Sequence, residues 1–225
     1  DVRVFSGRTS TGVRGIRLTT DDKIIAMSVV KHREVSTEIR DEYLQSVNAN
    51  RRMLSSDYTG RVNDKARDEA LAARLNESNF IKMALEEEFI LTLTEDGMGK
   101  RTSAYQYRIA GRGGQGITGI ELGRADGKSS RIVAAFTVQE EDQVVMVSDG
   151  GQIIRCPVNK ISIVGRSSRG VSVFNTSDGE RVVSVSRLRD VDDDDEENGD
   201  QENEEQTAKG SKPEVTGETQ LSSIK

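Results

Sequence analysis

Gly111-Arg112-Gly113-Gly114-Gln115-Gly116-Ile117 repeats a frame that the chain uses three times: Gly-Arg-x-x-x-Gly followed by a β-branched residue. The other copies are GRTSTGV from Gly7 and GRSSRGV from Gly165. Between the second and third copies the register holds upstream without a gap. Gly97 aligns with Gly151, Arg101 with Arg155, and Ile90-Leu91-Thr92-Leu93 with Val144-Val145-Met146-Val147. Downstream, each frame leads into a similar apolar run: Lys23-Ile24-Ile25-Ala26, Arg131-Ile132-Val133-Ala134 and Arg181-Val182-Val183-Ser184. A period of about 20–50 residues marks solenoids, propellers or arrays.

The runs inside the repeat alternate with period two or are short and apolar. They are separated by Asp96-Gly97, Asp126-Gly127, Asp149-Gly150-Gly151 and Asp178-Gly179, which are hairpin and turn signals. Four short strands per copy is the size of a propeller blade. The fold class is therefore mainly β, with propeller-like blades over residues 1–30, 89–142 and 143–189. Glycine in the frame predicts positive φ or close backbone approach.

Two segments break the pattern. Residues 31–88 place Ile39, Tyr43, Leu44 and Val47, then Ala66, Ala70, Leu71 and Leu75, then Phe80, Ile81, Ala84 and Leu85 at helical spacing among good helix formers. This segment reads as a helical insertion between strands, dispensable for the ring, with Val30 and Phe89 close in space. Residues 190–225 carry 13 acidic and 3 basic residues around the run Asp192–Glu197, too polar to order themselves. Such a tail is expected to compete with a polyanion for the basic repeats and so to act as an autoinhibitor.

The composition narrows the chemistry. Cys156 and His32 are each the single residue of their type, which excludes an internal disulfide and a Cys/His zinc site. No apolar run approaches the length of a membrane span, and no signal-peptide pattern is present, so no membrane role is expected. Beginning at Asp1 inside a repeat, the chain reads as part of something longer. The stretch DGMGKRT from Asp96 resembles a phosphate loop, but Thr94 stands where the Walker spacing needs glycine. No catalytic, cofactor-binding or metal-binding set can be assembled. The net charge of −6 hides a division: outside the tail the chain carries +4, and the repeats alone +6. Arg8, Arg112 and Arg166 share one position of the repeat, and Arg101 and Arg155 another. Cations repeated on a radial scaffold suit sequence-independent contact with DNA phosphates. With Arg14, Lys100 and Arg169, they make up the predicted DNA path.

GMGKRT from Gly97, GRGGQG from Gly111, CPVNKISIVGRSSRGV over Cys156–Val171, TGVRGIRL from Thr11 and the acidic end together resemble the carboxy-terminal domain of DNA gyrase A. The resemblance covers residues 1–30 and 89–189. It implies a β-pinwheel whose blades exchange strands and whose basic rim wraps double-stranded DNA, so that ATP-dependent strand passage by this type II topoisomerase introduces negative supercoils. It further implies an A2B2 heterotetramer of gyrase A and gyrase B, with ATP and Mg bound elsewhere, in a bacterial cytoplasm in association with the nucleoid. The family's Q-R-R-G-G-K-G box is absent; Ala110–Gly116 is its equivalent, with Gly111 in place of one Arg and Gln115 in place of Lys. The catalytic tyrosine and metal-binding carboxylates of the holoenzyme have no counterpart here. Two other readings remain open: the equivalent domain of the paralogous decatenating topoisomerase, and a propeller used only for protein contacts.

Overall fold

Residues with β-branched and aromatic side chains build two antiparallel sheets that repeat one plan in the register of the second and third frames. The structure is a computed structural model and describes residues 4–31, 34–55, 62–123, 127 and 129–189. The acidic tail, and with it the expected autoinhibition, lies outside the described residues.

The first sheet contains β1 (Phe89–Thr94), β2 (Met98–Ser103), β3 (Ile132–Val138) and β6 (Val171–Ser172), in the order β3-β1-β2-β6. The second contains β4 (Gln143–Ser148), β5 (Ile153–Pro157) and β7 (Val182–Leu188), in the order β5-β4-β7. In each, the opening strand is central and pairs with the hairpin strand on one side and the closing strand on the other. Even the irregularity repeats: the register shifts at Leu93/Thr94 in β1 and at Val147/Ser148 in β4. Residues 143–189 do not make a self-contained blade, because β6 crosses over to pair Val171 with Gly99 and Ser172 with Met98 on the edge of β2.

One apolar core joins the sheets. Leu91, Leu93, Ala134 and Val138 of the first sheet meet Val144, Met146 and Val182 of the second, with Val158, Ile161 and Phe174 from the connections. β1 is thus covered on both faces, and its last four residues are buried. On β5 and β7, by contrast, Ile153 and Val183 stay exposed because no further sheet covers that side among the described residues.

Residues 4–31 differ from the sequence expectation. They contain no strand, only an isolated parallel bridge from Ile16 to Gly114, and Ile24, Ile25, Met27 and Val29 are exposed. In the other copies the corresponding runs, β3 and β7, pair with an opening strand that precedes the frame in sequence. The corresponding run of the first copy makes no ladder among the described residues.

Three helices occupy the intervening segment: α1 (Thr37–Leu54), α2 (Val62–Ala73) and α3 (Ser78–Leu85). Ser36 caps α1 by accepting a hydrogen bond from the Ile39 amide at 3.3 Å, with Glu38 in the first turn and Arg51 and Arg52 in the last. The ends of the segment are adjacent, since the Lys31 amide donates to Glu88 Oε2 at 2.8 Å. Yet the helices do not merely loop out. Tyr43, Val47, Phe80 and Met83 form a second core that includes Tyr105, just past β2. The Tyr43 ring meets Phe80 and Tyr105 edge-on, each at 5.6 Å, and Arg51 lies 5.7 Å from the centre of the Phe89 ring.

Candidate nucleic-acid interface

The closing glycine of every frame has positive φ: 74° at Gly12, 79° at Gly116 and 91° at Gly170. At Gly170 a second constraint applies, because a Cβ there would sit 2.4 Å from the Gly99 carbonyl oxygen. Only glycine lets the third frame lie flat on β2 and enter β6. At the turns before the closing strands, Gly127 and Gly179 also have positive φ, and Asp21 stands in the first copy with φ 69°, a conformation aspartate tolerates.

The third frame is held from beneath by the second copy. Lys100 is fully buried, and its ammonium donates to the carbonyls of Gly165 at 2.9 Å, Arg166 at 2.5 Å and Ser168 at 2.7 Å. Gln106 Oε1 accepts from the Arg166 amide at 2.8 Å. Asp96 receives Arg169 at 2.8 Å, the Ser130 hydroxyl at 2.6 Å and the Thr94 hydroxyl. Burial alone would raise the Asp96 pKa, but the hydroxyls of Ser130 and Thr94 together with Arg169 hold it down to about 2. Burial, and next the nearby Arg166 charge, lowers the Lys100 ammonium to about 8, so it is mostly charged at neutral pH and keeps three N–H donors for three carbonyls.

The eight predicted cations divide by environment. Arg8, Arg14 and Arg112 are exposed and make no side-chain hydrogen bond or ion pair among the described residues. Arg155 is exposed and donates to Gln143 at 2.6 Å. Arg166 and Arg169 are half-buried, the first bound to the Thr118 carbonyl and the second to Asp96. Lys100 and Arg101 correct the sequence reading. Lys100 is an internal ligand of the loop, and Arg101 is 5% exposed, donating to the carbonyls of Ile161 at 2.6 Å and Asn159 at 3.4 Å and pairing with Glu140 at 2.5 Å. Neither presents its charge to a DNA path, because both side chains are buried and bonded inside the protein.

The sequence reading missed two features. Arg17 is exposed and adjoins a bridge in which the Gly113 amide donates to the Gly15 carbonyl and the Arg17 amide to the Gly114 carbonyl, each at 2.8 Å. That bridge brings Arg14, Arg17 and the loop of Arg112 into one neighbourhood; the alternating run Val13–Leu18 was the available signal. The loop-holding set of Lys100, Asp96 and Gln106 had no signal, since its partners lie far away in sequence, across the whole repeat.

A nucleotide does not fit the DGMGKRT stretch. The missing Cβ of Gly97 would fall 1.9 Å from the Phe174 carbonyl oxygen, and Lys100 faces three carbonyls, so nothing there cradles a phosphate. Among the described residues no group of three His, Cys, Asp or Glu converges as a metal site, and no helix is long and apolar enough to cross a membrane.

Residues 1–31, 88–139 and 142–189 match the family described as DNA gyrase C-terminal domain, beta-propeller. The match skips the helical segment. Among curated proteins, the chain is 40% identical over 203 residues to the DNA gyrase A protein of Rickettsia bellii, covering 90% of this chain and 21% of that protein. It is 40% identical over 197 residues to the DNA gyrase A protein of Granulibacter bethesdensis, covering 82% and 20%, and 32% identical over 189 residues to that of Haemophilus influenzae, covering 84% and 18%. The chain thus spans about a fifth of the length of these relatives. A solved DNA gyrase A C-terminal domain superposes with a TM-score of 0.42 at 29% identity, over 46% of this chain and 34% of that one.

Proposed function

The chain belongs to the DNA gyrase C-terminal domain family, and from that premise we propose that it binds and wraps double-stranded DNA along its arginine-bearing frames. The observation that carries this reading is the repetition, at the same frame position, of an exposed arginine with no side-chain partner among the described residues, Arg8 and Arg112. An exposed guanidinium with no internal partner is free to replace a condensed counterion on a phosphate, and glycine-rich backbone beside it lets the duplex approach. Arg14 and Arg155 extend the basic surface, while Arg166 and Arg169 contribute charge from anchored positions.

Wrapping would serve the holoenzyme. In this proposal the chain is a non-catalytic segment of a gyrase A protein that joins gyrase B in an A2B2 heterotetramer. ATP and Mg act on those other parts, and the wrap directs strand passage toward negative supercoils in a bacterial cytoplasm. The supporting features are the family membership and the +6 carried by the repeats. Relaxing a nicked and religated plasmid in the presence of the chain tests wrapping directly. A shift in linking number that grows with protein supports the reading, and duplex binding with an unchanged linking number refutes wrapping.

A further inference from the structure

The loop Gly165–Gly170 has an inward and an outward side, and Lys100 decides which groups face which way. Its ammonium draws the carbonyls of Gly165, Arg166 and Ser168 to one point. No peptide bond among the described residues is cis. A trans peptide directs its N–H opposite to its C=O, so the amides of Arg166, Ser167 and Arg169 point away from the lysine. Gln106 takes the Arg166 amide. The Ser167 and Arg169 amides find no acceptor among the described residues. Ser167 is exposed, and the Arg166 and Arg169 side chains are tied down on either side by Thr118 and Asp96. Ser167 and Arg169 thus bear two N–H groups with no acceptor among the described residues, on a loop whose two guanidinium groups are held by Thr118 and Asp96, and backbone N–H groups turned outward on one loop can bind an anion.

We propose that Lys100 is a positioning residue for a backbone anion site, turning the Ser167 and Arg169 amides outward to receive one phosphate oxygen. This rests on the DNA-binding reading for its natural ligand, a phosphodiester of the duplex, and deepens it: the buried cation acts through the loop and never touches DNA. The third frame is therefore built by the second copy, because the same crossover that places β6 on β2 sets the loop above Lys100. At the equivalent position of the following copy stands Ile154, consistent with no further frame lying above the second sheet among the described residues.

Amide NMR of the chain, titrated separately with a short duplex and with inorganic phosphate, tests this. The Ser167 and Arg169 amide protons should move downfield with duplex, and the same pair should respond to phosphate alone at far higher concentration. In Lys100→Met the two shifts should disappear and duplex affinity should fall on the order of tenfold, as for loss of a charge-assisted hydrogen-bond set. In an Arg166→Ala, Arg169→Ala background, Lys100→Met should cost less than it does alone, because it acts on the same loop. If Lys100→Met fails to fold, the wild-type titration still decides whether the two amides receive the anion, and Lys100→Gln, which keeps donors for only part of the carbonyl set, decides the lysine's part: amide shifts equal to the wild type overturn it. Duplex binding with both amides unmoved overturns the inference while leaving the DNA-binding reading intact. No duplex binding, with both amides answering phosphate, overturns the DNA reading and leaves the anion site. Silence toward both ligands overturns both.

Discussion

Arg101 and Arg155 occupy one position of the repeat and meet opposite fates. Arg101 is enclosed because the following copy passes over it and offers the carbonyls of Ile161 and Asn159; over Arg155 no further copy passes among the described residues. Recurrence in sequence marked a shared position correctly, but burial depends on the neighbouring copy, which is why the reading of Lys100 and Arg101 as rim residues went astray. Arg101→Ala should cost about 2–4 kcal/mol in a urea melt, since it strips hydrogen bonds from buried carbonyls, while leaving the salt slope of duplex binding unchanged. Asp96 supplies a pH test. Its folded pKa of about 2 lies below the ordinary 3.8, so it contributes stability that is complete above roughly pH 4 and is lost as the pH falls through about 2. The urea midpoint of the wild type should drop more steeply between pH 4 and 2 than that of Asp96→Asn; parallel curves would show that Asp96 bears no such load. Gly170→Ala should destabilise through both its positive φ and the collision with Gly99, by about 1–3 kcal/mol or more.

Strands were legible because they repeat. The apolar runs aligned between the second and third copies are β1 and β4, and the glycine turns after them lead into β2 and β5. Helix type was legible too, whereas the buried faces were not. Ile81 and Leu85 are exposed, and among the described side chains of α2 the buried one is Asp68, bonded to Arg52 of α1, in place of its alanines. An apolar stripe at helical spacing shows that one face is apolar, but a short helix can turn a charged residue inward when a partner waits there. Missing altogether was the contact of the helices with the first sheet through Tyr43, Tyr105, Arg51 and Phe89. Replacing residues 32–87 by a short Gly/Ser linker should keep the sheets, because Lys31 and Glu88 are already in contact, but lower the melting point by uncovering Tyr105 and Phe89. Tyr43→Ala should cost about 3–5 kcal/mol within the helical core and increase protease cleavage in α1. Equal cleavage of variant and wild type would mean that the helices are held by something other than this cluster.

At the scale of the molecule, a single strand crossover explains most of the arrangement. It joins consecutive copies, encloses Arg101 and seats the third frame on Lys100. Local sequence encodes each copy, but a crossover is a relation between copies, so only the resemblance to strand-exchanging blades anticipated it. The surface proposed for DNA is the one whose arginines, Arg8, Arg14 and Arg112, have no side-chain partner among the described residues. Duplex affinity measured from low to moderate salt, for wild type and for Arg8→Ala with Arg112→Ala, tests this most directly. Each lost phosphate contact lowers the magnitude of the log-affinity against log-salt slope by about 0.9, so the double variant should show a slope reduced by about 1.8 with an unchanged melting temperature. A double variant that binds duplex DNA with the affinity and slope of the wild type would contradict the account.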